Sequence, residues 1–293
     1  MRSLVQFIIF ISLFTIQFLF VNHIHAKEIH PVFKKLVKRL ELDGLDKKYL
    51  QDLFTHPELK LMPKAVAMSL VRDEANLNYA QFLTKDSVDR AVSYLKTHNR
   101  ILEKIESHFG ISAPVVVAIL SVETACGTYT GSFETVNILV TQTISLEPKT
   151  YKQIWDQIPM KGKLNLAPKE IEKRLRKKST RAYRELKALL AYVKDQDIDP
   201  LTIMGSIEGA IGIPQFLPSN IKRHGFDGNG DDKINLFQHE DAIASIASYL
   251  KAYNWRENNN YRKKKEIILK YNASNYYAST VLKLAERLNH YWH

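Results

Sequence analysis

The chain has 293 residues, with 42 Lys and Arg against 31 Asp and Glu, a formal charge of +11 and a single cysteine, Cys126. That length suits one large domain or two modest ones, and an apolar fraction of 45% excludes a disordered chain. A lone cysteine excludes an internal disulfide, so stability rests on the core.

The N-terminus differs from the rest. After Arg2, residues Leu4 to Val21 run without a charge and lead into "NHIHAKEIH". A basic start, an apolar middle and a small residue at Ala26 predict a secretory signal over residues 1–26, leaving 27–293 as the working domain. The run is also long enough to remain as an N-terminal anchor, and no cysteine follows it to take a lipid. Export directs the positive charge toward an acidic wall polymer or membrane surface and away from nucleic acid.

Beyond the leader the pattern is helical. "SVDRAVSYLKTHNRILEKIESHF" (87–109) repeats apolar residues at three- and four-residue spacing. "TRAYRELKALLAYVKD" (180–195), "DAIASIASYLKAYNW" (241–255) and "YYASTVLKLAERLNHYW" (276–292) do the same. Only "ETVNILVTQTISL" (134–146) is ambiguous, being rich in β-branched residues. Lys and Arg cluster in "KEIEKRLRKKSTRAYRELK" (169–187), which reads either as a solvated helix face or as an electrostatic guide for an acidic polymer. Breaks fall near Pro148, around "QIPMKGKLNLAPKE", at Pro200 and through Gly205 to Gly230. The fold class is mainly α.

In "AILSVETACGTYTG" (118–131) one acid, Glu123, stands in an apolar, small-residue helix. Ser112 suits the N-cap, Pro114 the first turn and Gly127 the stop. Val116, Ile119 and Leu120 precede Glu123 by seven, four and three residues, so the spacing puts the acid on an apolar stripe. One reading is a buried glutamate satisfied by arginine or backbone amides. The other is an acid kept protonated by desolvation and by the negative end of the helix dipole, fit to protonate a glycosidic oxygen.

"GSIEGAIGIPQFLPSNI" (205–221) follows, a Gly/Pro-shaped loop carrying Ser206, Gln215 and Phe216. Then "DGNGDDKINLFQHED" places Asp227, Asn229 and Asp231 at the 1-3-5 spacing of an EF-hand, with the Lys233 carbonyl at position seven. Asp232 and Gln238 depart from the pattern at positions six and twelve, and Asp241 offers closure of a lengthened loop. The alternative is a polar turn capping the next helix.

Together with "KYNASNYYASTVLKLAERL", these segments occur in the order of the lytic murein transglycosylase B family, which the chain resembles from about Tyr79 to Leu288. The resemblance implies a lysozyme-like, mainly α fold with an elongated EF-hand-like calcium loop. It implies non-hydrolytic cleavage of the bond between N-acetylmuramic acid and N-acetylglucosamine, leaving 1,6-anhydro ends. Glu123 matches the single catalytic acid/base. Tyr79, Ser206, Gln215, Phe216, Tyr249, Tyr271 and Asn272 match groove residues. Asp227, Asn229, Asp231, Lys233 and Asp241 match the ligands of a structural Ca2+; no organic cofactor is implied. Partners are then peptidoglycan strands and envelope protein complexes, for a monomer working in the periplasm.

Four features depart from the family pattern. Cys126 replaces a tryptophan, Ile207 and Glu208 replace a Tyr-Ala pair, Asn137 stands where aspartate is common, and the stretch from Trp255 to Tyr271 is too short for a β-rich insertion. Glu208 as a second carboxylate allows a hydrolytic muramidase, and loss of activity allows a wall-binding scaffold. A cysteine nucleophile lacks a histidine in its own motif.

Overall fold

A computed structural model describes residues 28–71 and 78–292; the 1–26 leader lies outside them. α1 (Lys34–Leu42), α2 (Lys47–Phe54) and α3 (Pro63–Val71) precede α4 (Lys85–Thr97) and α5 (Asn99–Phe109). The apolar period of residues 87–109 is thus shared by two helices that break at His98. Then come α6 (Ala113–Thr124), α7 (Thr135–Thr143), α8 (Pro148–Gln157), α9 (Met160–Asn165) and the long α10 (Pro168–Asp195). The chain ends with α11 (Pro218–His224), α12 (His239–Ala252), α13 (Tyr261–Tyr271) and α14 (Asn275–Asn289). Among the described residues, sheet is limited to β1 (Phe133–Glu134) and β2 (Met204–Gly205), antiparallel with Phe133 opposite Gly205.

α6 is the centre of the molecule. The expected apolar stripe is not what surrounds Glu123: every residue of α6 except Glu123 is buried. The helix is enclosed by α14, α4, α5 and α12, so it needs no polar face. Each fully buried Val, Ile or Leu there contributes about 1.5–3 kcal/mol. Ser112 occupies the N-cap, but its side chain makes no capping bond; its N–H donates to Glu257 Oε1 at 3.0 Å.

The ambiguous segment 134–146 is helical as α7, with all nine residues of that helix buried. Enclosure by α10 and the 58–62 segment overrides its β-branched preference. Its polar groups are used: Asn137 Nδ2 donates to the Glu58 carbonyl at 2.9 Å, while Oδ1 accepts from Lys60 N at 3.2 Å. Thr141 Oγ1 accepts from Met62 N at 2.9 Å. Asn137 is a structural tie here.

Two apolar cores result. The larger contains α6 and its neighbours; the smaller joins Val66, Leu70, Ile154, Ile158, Ile171 and Leu175 from α3, α8 and α10. A cleft opens where they meet.

Candidate active site

Glu123 is the penultimate residue of α6, and the backbone reverses directly after it. Ala125, Cys126 and Gly127 all adopt left-handed φ values of 50°, 61° and 89°. Only the last is a glycine, so two L-residues hold a conformation that costs about 1–2 kcal/mol each. Thr124 compensates: its Oγ1 donates to the Ile213 carbonyl at 2.9 Å and accepts from Gly127 N at 2.9 Å. The helix end is thereby stitched to the Gly/Pro loop.

The cleft has a volume of about 550 Å³ and brings Glu123 together with Ser206, Ile207 and Gln215 from that loop. Met68, Val71 and Pro159 form the wall on the small-core side; Tyr129, Gly131 and Phe133 complete it. Glu123 is the only carboxylate among these lining residues. Gln215, itself at φ 50°, donates through Nε2 to the Thr130 and Gly212 carbonyls at 2.9 Å each, so its amide oxygen is the end left to face a ligand. Gly131 is required because a Cβ there would lie 2.1 Å from the Gly205 backbone.

Burial raises the Glu123 carboxyl to a pKa of about 7, against an opposing hydrogen bond from Tyr277, whose hydroxyl donates to Oε1 at 2.6 Å. The carbonyl end of α6 adds to the preference for the neutral form. Tyr277 is thus a residue of the site that the motif reading missed. Its signal was a tyrosine six residues past Tyr271, a spacing that spans the turn into α14 and so carries no single-helix period. The Tyr277 ring lies parallel to Tyr271 at 6.4 Å, and burial keeps both phenols protonated.

The remaining groove candidates separate by depth. Tyr271 donates to the Pro214 carbonyl and so supports the Gln215 turn from beneath. Phe216 and Tyr249 are 1% and 2% exposed and contribute no cleft surface; they pack behind Tyr271. Asn272 closes the turn into α14, its Oδ1 accepting from Ser274 N at 3.1 Å. Tyr79 sits in a short 3-10 turn, parallel to the exposed Tyr276 ring at 6.3 Å. Ser206 and Gln215 therefore share the cleft with Glu123, while the aromatic residues form its foundation and flank.

Two departures from the family pattern are also located. Glu208 leaves the cleft: its oxygens take Lys178 Nζ at 2.5 and 2.7 Å and an Arg181 guanidinium. Burial opposes its ionisation, but these two cations hold its carboxyl below the ordinary glutamate value. A paired carboxylate of that kind is a poor second acid. Burial pushes the Cys126 thiol up to about 12, so it holds no thiolate to attack with.

The candidate calcium loop is folded on its own amides. Asp227 accepts from Gly230, Asp231 and Asp232 N–H groups at 2.6, 3.3 and 2.8 Å. Asp241, fully buried, accepts from Gly228 N at 2.9 Å and Asn235 N at 2.7 Å. Asp231 Oδ1 accepts from Lys233 N at 2.9 Å. Asn229 turns its amide nitrogen to Asp231 and Gln238 at 3.0 and 2.9 Å. Among the described residues no three His, Cys, Asp or Glu side chains converge as a metal-holding group. The donor set is still all oxygen, as a hard cation requires, once the Asn229 amide is turned over.

Known proteins share this fold. Membrane-bound lytic murein transglycosylase B of Escherichia coli (strain K12) is 26% identical over 229 residues, 74% of this chain and 55% of that protein. The chain thus spans about half the length of that relative. The E. coli lytic transglycosylase SLT35 in complex with calcium superposes with a TM-score of 0.73 at 20% identity, covering 91% of this chain and 97% of that one. SltB3 from Pseudomonas aeruginosa in complex with NAG-anhNAM-pentapeptide gives a TM-score of 0.68 at 19% identity, over 89% and 80%. These likenesses establish the lysozyme-like transglycosylase fold. The transglycosylase SLT domain family matches residues 28–267, and the chain belongs to that family.

Proposed function

We propose that the protein is a peptidoglycan lytic transglycosylase, cleaving the β-1,4 bond between N-acetylmuramic acid and N-acetylglucosamine without water. The observation that carries this reading is Glu123: one carboxyl group, raised to a pKa of about 7, in a cleft whose lining, among the described residues, holds no other acid. An inverting or retaining hydrolase of the ordinary kind uses two carboxylates. Here a single group must serve twice. Protonated Glu123 gives its proton to the glycosidic oxygen as the C1–O bond breaks, and the substrate's own N-acetyl oxygen stabilises the cationic centre. The resulting carboxylate takes the proton of the C6 hydroxyl, whose oxygen closes on C1 as the 1,6-anhydro ring. The near-neutral pKa suits both halves of that cycle. Tyr277 would hold the carboxyl and stabilise its charged form between them.

The family relationship supports the rest of the proposal. Residues 27–293 form the catalytic domain behind a 1–26 leader, and the protein works as a periplasmic monomer on glycan strands, within reach of envelope protein complexes. The E. coli relative holding calcium supports a structural Ca2+ in this loop. Asp227, Asn229, Asp231, the Lys233 carbonyl and Asp241 would hold it, tying the Gln215 loop to α12.

The test is mass spectrometry of muropeptides released from purified peptidoglycan, with Glu123→Gln as control. Products ending in 1,6-anhydromuramic acid, lost with the variant, are the expected result. Reducing-end muramic acid would mean hydrolysis, and no release would leave a binding scaffold; either overturns the proposal.

A further inference from the structure

The basic run 169–187 lies on α10, and two of its cations are only partly exposed and share one acid. The Lys178 side chain is 16% exposed, and the side chains of Arg181 and Glu208 are 33% exposed each. The acid these two cations share belongs to the Ser206 turn, the element that carries two cleft-lining residues.

That turn is compact. Gly209 N donates to the Ser206 carbonyl at 2.9 Å, and Ser206 N donates to the Ala210 carbonyl at 2.8 Å. The Ser206 hydroxyl accepts from Ala210 N at 3.1 Å and Glu208 N at 3.3 Å. Gln142 Nε2 of α7 donates to the Ile207 carbonyl at 3.0 Å. Ser206 and Ile207 thus face the cleft, while the next residue turns outward to α10. The turn is also attached to the body through the two-residue β1–β2 pairing, the Gly205–Ile211 bridge, the approach of Gly209 to Leu139, and Glu208.

The geometry assigns Glu208 as a positioning residue of the cleft: gripped by Lys178 and Arg181, it fixes the turn that presents Ser206 and Ile207 to the substrate. A glutamate between two cations in a half-buried place is costly, since three charges lose water together. Fixing the wall of a cleft is a function that accounts for its presence, because small displacements of substrate-positioning groups cost large factors in rate.

The test rests on the transglycosylase reading for its kinetic half and is independent of it for the other half. With purified peptidoglycan as substrate, Glu208→Ala is expected to lower kcat/KM about tenfold, and Glu208→Asp to restore part of that loss. The double variant Ser206→Ala/Glu208→Ala is expected to fall no further than Ser206→Ala alone, since both act through one turn. A fall in Tm with kcat/KM intact, or effects of the two substitutions that simply add, would show a structural role only and overturn the assignment. Hydrogen exchange of the Ser206 and Gly209 amides in the full chain reads the turn without any activity. Faster exchange at those amides in Glu208→Ala, with α6 unchanged, is expected. Wild-type exchange there would overturn the clamp, whatever products the enzyme makes.

Discussion

The Tyr277 hydroxyl and Glu123 Oε1 lie 2.6 Å apart, joining the first turn of α14 to the last turn of α6. The bond favours the carboxylate and so works against burial, which raises the carboxyl pKa to about 7. The balance between them sets where Glu123 changes from acid to base.

Tyr277→Phe removes the opposing bond and leaves the burial. The Glu123 pKa therefore rises, and the alkaline limb of the kcat/KM profile moves up. A hydrogen bond to a charged group is worth about 1.5–3 kcal/mol, so the limb should move by about one to two pH units while kcat falls, because the carboxylate formed in mid-reaction loses its partner. The pH profile of product release on peptidoglycan checks this. An unmoved limb would mean that another group titrates.

Glu123→Gln should abolish turnover yet stabilise the fold at alkaline pH. Because the folded pKa lies above the unfolded one, the glutamate's contribution is most favourable below pH 4.5 and is lost as pH rises through about 7. The loss amounts to about 2–3 kcal/mol for this partly open group. A neutral amide avoids it. At pH 8 the variant should melt several degrees above the parent, and the difference should vanish near pH 4. Equal Tm gaps at both pH values would show that Glu123 is not the group held neutral.

Much of this was legible in the sequence, for identifiable reasons. Glu123 stood out because "AILSVETACG" holds one acid among apolar and small residues, and Ser206 and Gln215 because glycine and proline mark shaped loops. The reading of α6 as striped failed because 3.6-residue spacing cannot tell a half-buried helix from one enclosed on all sides. α7 was ambiguous because intrinsic preference says strand, whereas the neighbouring α10 and the 58–62 segment decide for helix. Phe216 and Tyr249 read as groove residues because their motif lies beside the groove; depth is a tertiary property. Tyr277 and the Lys178–Glu208–Arg181 contact join residues far apart in the chain, which no local pattern encodes.

The turn behind Glu123 offers a stabilising change. Ala125 sits at φ 50° and ψ 48°, where L-residues are strained and glycine is not. Ala125→Gly should relieve about 1–2 kcal/mol of strain against about 0.5–1 kcal/mol of added chain entropy. A net gain of up to about 1.5 kcal/mol corresponds to a rise of up to about 3–6 °C in Tm. Ala125→Val should do the reverse, since a β-branched side chain is worst in this region. A fall in Tm for the glycine variant would place the strain elsewhere.

The calcium proposal separates two roles within one loop. Asp241 accepts two backbone N–H groups from a fully buried position, so Asp241→Ala strands Gly228 and Asn235 amides with or without metal. Each stranded donor costs about 1–3 kcal/mol, and the Tm drop should persist in EGTA. Asp231 is exposed, so Asp231→Asn changes the charge of the donor set more than the packing. Its Tm should match the parent's in EGTA and fail to rise when millimolar Ca2+ is added, whereas the parent gains RT ln(1 + [Ca2+]/Kd). If the parent's Tm ignores both EGTA and Ca2+, the loop is held by its own amides alone, and Asp227, Asn229 and Asp231 are there to accept N–H groups rather than to ligate a cation.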